Sequence, residues 1–407
     1  MPGILEGLRI VESAAFIAAP LGGMTLAQLG ADVIRCDPIG GGLDYRRWPV
    51  TRDGQSLYWA GLNKGKRSIA LDLNAPRGRE LLTALVTAPG PNAGLFITNF
   101  PAKGWLGYDT LKKHRADLIM MNVLGNPDGS SAVDYTVNCA AGFPYATGPA
   151  EYVGAINHVL PAWDIATGAT AAVGLLAAER HRARTGKGHY IKLALSDVAL
   201  AMAGNIGHIA EYEINGEVRP RMGNELYGAL GRDFVTRDGK RVMVVAITPK
   251  QWQGLVEAAG LARAVKEIER RRGLDLAREG DRFQARADLF PLLEGWIGAR
   301  GLREVAAAFD RHGVCWGPYR DFGELVREDP RCSPANPMFA RIEQPGIGRY
   351  LMPGSPLEFS GSPRVPPAPA PRLGEHTDQV LGDVLGLPAR EIGELHDAKI
   401  VAGAESR

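Results

Sequence analysis

Cysteine and long apolar runs are both scarce in this sequence. The four cysteines stand far apart and form no C-x-x-C pair, so we expect a reduced, cytoplasmic protein without structural zinc. No basic segment followed by an apolar run opens the chain, and no apolar stretch approaches the roughly 18 residues that cross a bilayer. We therefore expect neither a signal peptide nor a membrane anchor. The formal net charge of only +2 also argues against nucleic-acid binding.

Several familiar catalytic signatures are missing as well. There is no H-E-x-x-H, G-x-S-x-G, P-loop or EF-hand pattern. Asp37, in the second predicted strand, is the type of acid that binds a ribose, but the turn at 18–23 lacks the glycine pattern of a dinucleotide site. We therefore expect no nicotinamide cofactor. His158 precedes Asp164 by six residues, a spacing that does not indicate a metal ligand.

What the sequence does contain is the alternation typical of an α/β fold. A strand at 8–12, a helix at about 21–29 and a strand at 31–37 predict the start of a Rossmann-like, doubly wound α/β domain with parallel strands. Residues 225–330 differ in composition and predict a smaller α/β domain, with a hairpin near 235–246 followed by helices. Further strands are predicted at 68–72, 94–98 and 118–123, and further helices at 77–86, 197–212 and 377–385.

Asp164 lies where a polar segment meets an alanine-rich apolar run at 169–178. This junction predicts a helix that starts at Asp164, where backbone N–H groups are unpaired and the helix dipole favours negative charge. The carboxylate is then either an ordinary N-cap or a nucleophile toward an acyl carbon. The local sequence leaves both interpretations open.

Three further segments are candidate binding elements, each with a plain structural alternative. The loop at 63–68 gathers Lys64, Lys66 and Arg67 and is either a phosphate site or a solvated loop. Asn99-Phe100 ends a strand at the ligand-binding edge of the sheet, or is a turn with a core aromatic. Arg46-Arg47-Trp48 is suited to hold a carboxylate beside an aromatic wall, or to form a surface ion pair.

Seven ordered stretches, spread over nearly the whole chain, carry a family resemblance. Together they resemble the class III CoA-transferase family, which also contains the α-methylacyl-CoA racemases. The stretches are 7–20, 29–34, 63–69, 98–100, Asp164 with Gly168, 184–188 and 370–378.

The resemblance implies that Asp164 is the acyl-accepting nucleophile and that the substrate is an acyl-CoA thioester, with no separate cofactor. It implies CoA contacts through the residues Phe16, Ile17, Asn63, Lys64, Lys66, Arg67, Asn99 and Phe100, and we add Arg47 and Trp48 as candidates for a free carboxylate of the substrate. It also implies an interlocked homodimer whose active site lies between the large domain of one subunit and the small domain of the other. The implied domains are a large domain at 1–200, a linker helix at 201–224, a small domain at 225–330, and a return strap with the rest of the large domain at 331–407.

Departures from the family pattern narrow the activity. Val133 stands where the racemases have histidine, and a valine cannot move a proton, so racemization is not expected. The stretch 223–228 is not the run of glycines found in formyl-CoA transferases. The resemblance is to members that move CoA from carbon 1 to carbon 4 of one branched C5 dicarboxylic acid through an aspartyl anhydride and an aspartyl-CoA thioester. The alternatives are intermolecular transfer from a dicarboxylic acyl-CoA to a free carboxylate and, further off, a racemase or a CoA-ester binding subunit.

Overall fold

The structure, a computed structural model, describes residues 3–404, and contacts between Cα atoms divide the chain into two compact units. The first unit consists of the described residues of Met1–Ala141, His158–Ile209 and Pro330–Arg407, and the second of Gly142–Asn157 and Ala210–Asp329. The segment 142–157 groups with the second unit, although the sequence assigned it to the large domain. The predicted domain boundaries otherwise stay a prediction.

The first unit is built on a seven-stranded sheet within the described residues, in the order β12-β3-β2-β1-β4-β5-β6. Neighbouring strands from β3 to β6 are parallel, and β12 is antiparallel to β3. The predicted mixed α/β fold with a large parallel sheet is therefore confirmed. The strands of both units are β1 (Arg9–Ser13), β2 (Asp32–Pro38), β3 (Arg67–Leu71), β4 (Leu95–Thr98), β5 (Ile119–Leu124), β6 (His189–Ala194), β7 (Leu230–Val235), β8 (Arg241–Ala246), β9 (Cys315–Pro318), β10 (Phe339–Gln344), β11 (Gly348–Pro353) and β12 (Val401–Ala402).

Most predicted helices are present, with two differences. The helix expected at 197–212 is two helices, because Gly207 adopts a φ of +90° between them. The helix predicted at 377–385 is correct, but a further helix follows it. The α-helices are α1 (Ala18–Ala27), α2 (Leu57–Leu62), α3 (Pro76–Val86), α4 (Tyr108–Lys112), α5 (Asp134–Ala140), α6 (Phe143–Ala146), α7 (Ala162–Thr185), α8 (Leu195–Asn205), α9 (His208–Asn215), α10 (Pro249–Ala259), α11 (Ala262–Arg272), α12 (Glu279–Gln284), α13 (Arg286–Gly298), α14 (Leu302–His312), α15 (Phe322–Glu328), α16 (Thr377–Leu385) and α17 (Ala389–Asp397).

Burial explains why the central strands read as apolar runs rather than as alternating patterns. Every residue of β4 is buried, and so are all but the first residue of β1 and β3. Strands of a parallel sheet that are covered on both faces need apolar side chains at successive positions. No helix in the described part of the chain combines the length and apolar character needed to cross a membrane.

The second unit has its own core around the antiparallel sheet β7-β8-β9. Phe234 and Phe290 meet there with ring centroids 6.1 Å apart, and Phe309 is fully buried. Arg221 fastens the segment 142–157 within this unit, since its guanidinium donates to the carbonyl oxygens of Tyr145, Tyr152, Pro144 and Gly154.

The family-like stretch at 370–378 lines up against β3 through backbone and side-chain hydrogen bonds. The Gly374 N–H donates to Ser68 Oγ at 3.0 Å, and the His376 N–H donates to the Ser68 carbonyl at 2.9 Å. Thr377 Oγ1 accepts from the Ala70 N–H at 3.2 Å and donates to the Ala402 carbonyl at 2.7 Å. The stretch is therefore a structural fastener that joins β3 to the segment carrying β12.

His376 makes the stability of this fastener depend on pH. Its Nδ1 accepts from the Ser68 N–H at 3.2 Å, and burial lowers the pKa of the imidazole below its ordinary value. The unfolded chain then binds a proton near the ordinary value of about 6.5 while the folded chain resists it. We expect the contribution of His376 to be complete above that value and to decline as the pH falls through it. Urea unfolding at several pH values between about 5 and 8 measures this slope.

Two variants separate His376 from the other histidines. In His376→Asn an amide oxygen still accepts from Ser68 but cannot titrate, so the free energy of unfolding should lose part of its decline below neutral pH. His114→Asn, at an exposed position, should keep the full decline. Equal slopes in the wild type and His376→Asn would contradict the assignment.

Candidate active site

Asp164 lies in the first turn of α7, as its third residue rather than as its cap. The helix begins at Ala162 after Pro161, so the prediction that it starts at Asp164 is wrong by two residues. The proline explains the difference, because its fixed φ suits the entry to a helix. The backbone N–H of Ala18, the first residue of α1, acts on the Asp164 carboxyl and favours its charged form. Two helix N-termini therefore meet at this carboxylate.

Close packing of α1 on α7 brings these two helix starts together. A Cβ at Gly168 would lie 2.7 Å from the Ala18 carbonyl oxygen, and one at Gly22 would lie 3.1 Å from the Gly168 carbonyl oxygen. Glycine is thus required where the backbones cross. Gly168 therefore allows α1 to pack closely against α7, which brings Ala18 near the first turn that carries Asp164.

The turn between β1 and α1 presents Phe16 beside this point. Phe16 has a φ of +69°, a left-handed conformation that is strained for a residue with a side chain. Its N–H donates to Asp44 Oδ2 at 3.0 Å. Asn99 holds Ala15 from both sides, since Oδ1 accepts from its N–H at 3.0 Å and Nδ2 donates to its carbonyl at 2.7 Å. Ile17 is the N-cap residue of α1.

Arg47 is held near Asp164 by two aromatic rings. Its guanidinium carbon lies 5.3 Å from the ring centroids of both Phe16 and Tyr58, within the range of a cation–π contact. Tyr58 was not predicted, and its position in α2 gives no sequence signal. Burial raises the pKa of Tyr58 to about 12, so the phenol stays neutral. Trp48, the neighbour predicted with Arg47, is 77% exposed.

The groups around Asp164 shift the pKa of its carboxyl in opposite directions. Burial raises the pKa of this carboxyl to about 7, and the carboxylate of Asp134 adds to the rise. The guanidinium of Arg47 and the Ala18 N–H act in the opposite direction. The side chain is consequently about half ionised near pH 7, and its carboxylate is more basic than that of an ordinary aspartate, as suits a nucleophile.

Asp134 is the residue of this site that the sequence analysis missed. It is 1% exposed, and its Oδ2 accepts from the N–H groups of Trp163 at 2.7 Å and Asp164 at 3.1 Å. Asp134 directly follows Val133, the position at which the racemases have histidine. Its hydrogen-bond partners lie 29 and 30 residues further along the chain, so no local pattern indicates its role.

A buried ionic cluster lies behind the site. Arg35 is fully buried and contacts the carboxylates of Asp37 at 2.8 Å, Asp44 at 3.1 Å and Glu12 at 3.4 Å. Burial alone would lower the pKa of Arg35, but the three carboxylates outweigh it and raise the value. Asp37 is therefore part of this buried cluster.

Lys66 and Asn63 belong to the same cluster. Lys66 Nζ donates to both oxygens of Glu12 at 2.8 and 2.9 Å, to the Pro20 carbonyl at 2.9 Å and to Asn63 Oδ1 at 2.9 Å. The Asn63 amide also donates to the Trp59 carbonyl at 2.8 Å. These contacts give both residues a structural role, and their contact with CoA stays a prediction.

The remaining predicted residues, Arg67, Lys64 and Phe100, belong to the first unit and each has its own surroundings. Arg67 is paired with Asp32 through distances of 2.8 and 2.6 Å. Lys64 is 7% exposed, and burial lowers the pKa of its amine to about 8. Phe100 packs against the hydrophobic core at the end of β4. Among the described residues, no group of three or more His, Cys, Asp or Glu side chains is placed to hold a metal ion.

Comparison with known proteins gives consistent results. The model of CoA-transferase family III matches residues 5–377. The 2-methylfumaryl-CoA isomerase of Chloroflexus aurantiacus is 64% identical over 406 residues, covering 100% of this chain and 99% of the relative. The succinyl-CoA:mesaconate CoA-transferase of Haloarcula hispanica is 30% identical over 411 residues, covering 94% and 96%. A solved structure of a CAIB/BAIF family protein from Brucella suis matches with a TM-score of 0.77 at 27% identity, covering 94% of this chain and 100% of that one.

The cluster contacts predict how Lys66 contributes to the protein. Lys66→Met leaves the buried Glu12 with only its 3.4 Å contact to Arg35, and breaking a buried pair typically costs about 3–5 kcal/mol of the free energy of unfolding. We expect a large loss of stability in urea unfolding, partly restored by adding Glu12→Gln. Arg67→Met, which removes a pair that is partly exposed to solvent, is the control and should cost about 1 kcal/mol. Unchanged stability of Lys66→Met together with weaker CoA-ester binding would instead support a direct ligand contact.

Proposed function

We propose that this chain, which belongs to CoA-transferase family III, moves CoA from carbon 1 to carbon 4 of mesaconate. In this reaction 2-methylfumaryl-CoA, the carbon-1 ester, becomes 3-methylfumaryl-CoA, the carbon-4 ester. The 64% identity to a relative named for that isomerisation carries the proposal. A nucleophile of the required type is present in Asp164.

The first half of the reaction transfers the acyl group to the protein and then replaces it by CoA. The carboxylate of Asp164 attacks the carbon-1 carbonyl, the C–S bond breaks, and a mixed anhydride and CoA thiolate form. The thiolate then attacks the aspartyl carbonyl and expels mesaconate, leaving an aspartyl-CoA thioester. The Ala18 N–H, which favours the charged form of Asp164, is our candidate donor to the oxyanion of this second attack. Such a donor is typically worth about a hundredfold in rate or more.

The second half repeats these steps through the other carboxylate. Mesaconate reorients, and its carbon-4 carboxylate attacks the aspartyl thioester. The released thiolate attacks carbon 4 and frees Asp164. Negative charge passes between carboxylate and thiolate at each step, so no general acid or base is needed. Retaining mesaconate replaces the diffusion of a second acid by a high effective concentration.

Arg47 is our candidate for the carboxylate that does not react. Its guanidinium is exposed on one side and held over Phe16 and Tyr58 on the other. A guanidinium fork fits a carboxylate in bidentate fashion. Because its charge also acts on Asp164, a carboxylate bound to Arg47 would lie near the reacting acyl group.

We also propose the interlocked homodimer that the family resemblance implies, with the active site between the large domain of one subunit and the small domain of its partner. Exposed apolar surface favours contacts with another protein chain. Exposed apolar side chains recur along 200–214 and support this proposal, namely Leu200, Met202, Ile206, Ile209, Tyr212 and Ile214.

Isotope labelling tests the proposed reaction. The protein is incubated with 2-methylfumaryl-CoA and an excess of ¹³C-labelled free mesaconate, and the CoA esters are separated and weighed by mass spectrometry. We expect unlabelled carbon-4 ester, because the acid never leaves. Asp164→Asn should abolish turnover while its fold and CoA-ester binding persist.

Other outcomes point to other functions. Labelled ester would mean that the acid exchanges, and the protein would then be an intermolecular transferase such as its succinyl-CoA:mesaconate relative. Turnover by Asp164→Asn would remove the nucleophile assignment.

The role of Arg47 can be measured as binding without turnover, in the Asp164→Asn background. Arg47→Gln should weaken binding of 2-methylfumaryl-CoA about 10- to 100-fold, the usual effect of losing a charged hydrogen bond. Binding of crotonyl-CoA, which has no free carboxylate, should hardly change. Arg46→Gln is the matched control, and isothermal calorimetry gives both constants. Equal weakening of both esters by Arg47→Gln would contradict a carboxylate contact.

A further inference from the structure

We propose that Asp134 is a positioning residue for the nucleophile, which fixes the backbone of Asp164 and places beside it a second carboxylate whose repulsion is relieved on acylation. The inference rests on the proposed function, because it concerns the covalent states of Asp164. Two kinds of observation support it: hydrogen bonds to the start of α7 and the charges around Asp164.

Asp134 supplies the cap that α7 lacks locally. The N-cap residue of α7 is Pro161, which has no side-chain acceptor. Oδ2 of Asp134 instead accepts hydrogen bonds from the N–H groups of Trp163 and Asp164, at 2.7 and 3.1 Å. An acid from α5 therefore satisfies two N-terminal amides of another helix, one of them the amide of the nucleophile itself.

A second residue of α5 holds the same point from the side. Asn138 follows Asp134 by four residues, so both lie on one face of the helix. Its Oδ1 accepts from Trp163 Nε1 at 3.1 Å and lies 3.0 Å from His158 Nε2. Since this oxygen only accepts, Nε2 of His158 carries a proton. The start of α7 is thus fixed through Trp163 and Asp164 along one helix face.

The charge of Asp134 is poorly compensated. Its Oδ1 is buried and has no hydrogen-bond partner among residues 3–404. The groups that act on Asp164 are Asp134 from α5, Arg47 from the loop after β2, Tyr58 from α2 and the Ala18 N–H from α1. Burial is the largest cause of the raised pKa of Asp164, and Asp134 is the second. Asp134 is thus the carboxylate that disfavours the Asp164 anion.

This repulsion has a chemical consequence. In the mixed anhydride and in the aspartyl thioester the Asp164 side chain is neutral, because its negative charge has left on the thiolate or on mesaconate. The Asp134 carboxylate then has no charged neighbour at that position. Relief of repulsion therefore favours the acylated states over the free carboxylate, and it makes Asp164 a poorer leaving group than mesaconate in the anhydride.

Asp134→Asn separates the charge from the hydrogen bonds. An amide oxygen can still accept from Trp163 and Asp164, so the cap is kept. We expect the acid limb of the kcat/KM–pH profile, which reports the free enzyme, to follow the raised pKa of Asp164 in the wild type. In Asp134→Asn it should move to lower pH but stay above that of an ordinary aspartate, because burial remains. At pH 6, where a group of pKa 7 is about one-tenth ionised, kcat/KM relative to its plateau should rise severalfold.

A second measurement reports the acylated states directly. Intact-protein mass spectrometry during turnover, with and without hydroxylamine, gives the fraction of protein carrying an acyl or CoA adduct. This fraction should fall in Asp134→Asn, whereas Asp134→Ala, which also loses the cap, should lose most activity. Asp109→Asn removes an exposed carboxylate in the first turn of α4 and should match the wild type in both measurements.

The outcomes are distinguishable. An active wild type and Asp134→Asn with the same acid limb and the same acylated fraction would overturn the inference, even if Asp134→Asn were less stable, because Asp134 would then only cap the helix. A wild type that forms no carbon-4 ester but exchanges CoA between acids would contradict the proposed function alone. The pH comparison would then be made on that exchange.

Discussion

The buried guanidinium of Arg35 is the contact on which the site depends. It joins carboxylates from β1, from β2 and from the loop that follows β2, and one of these acids, Asp44, also holds the amide of Phe16. A buried charge without partners costs several kcal/mol, so these segments cannot separate without a large loss of stability. The strained turn before α1 is therefore fixed by electrostatics deep in the sheet, together with the amide of Asn99.

Asp164, the proposed nucleophile, has both stabilising and destabilising groups around its carboxylate. The N-terminus of α1 and Arg47 favour the anion of Asp164, while burial and Asp134 disfavour it. Burial and Asp134 outweigh the other two, and the pKa of the carboxyl is raised to about 7. A carboxylate that was fully stabilised would be a weak nucleophile, and one that was fully destabilised would remain protonated. The arrangement gives both usable ionisation and high reactivity at the same atom.

Local patterns in the sequence predicted what depends on local physics. The apolar runs of β1 to β5 and the importance of the start of α7 could be read directly, because burial and helix entry leave marks in adjacent residues. The cap by Asp134 and the burial of Lys66 could not, since each depends on a partner far away in the chain. Three cations in one loop left a phosphate site and a solvated loop both open, and the sequence did not indicate that Lys66 and Arg67 form ion pairs in the fold. The break between α8 and α9 at Gly207 was not predicted either, because apolar residues continue across it in the sequence.

The antiparallel edge formed by β12 has a consequence for how the chain is made. Val401 pairs with Leu71, so β3 lacks its outer neighbour until residues far along the chain have been synthesised. The hydrogen bonds between residues 374–377 and β3 also form only after that segment has been synthesised. During synthesis β3 carries an open row of backbone donors and acceptors, the kind of edge that recruits strands from other chains. The sheet of the first unit can therefore be completed only after residue 401 has been synthesised, and β3 remains an open edge until then.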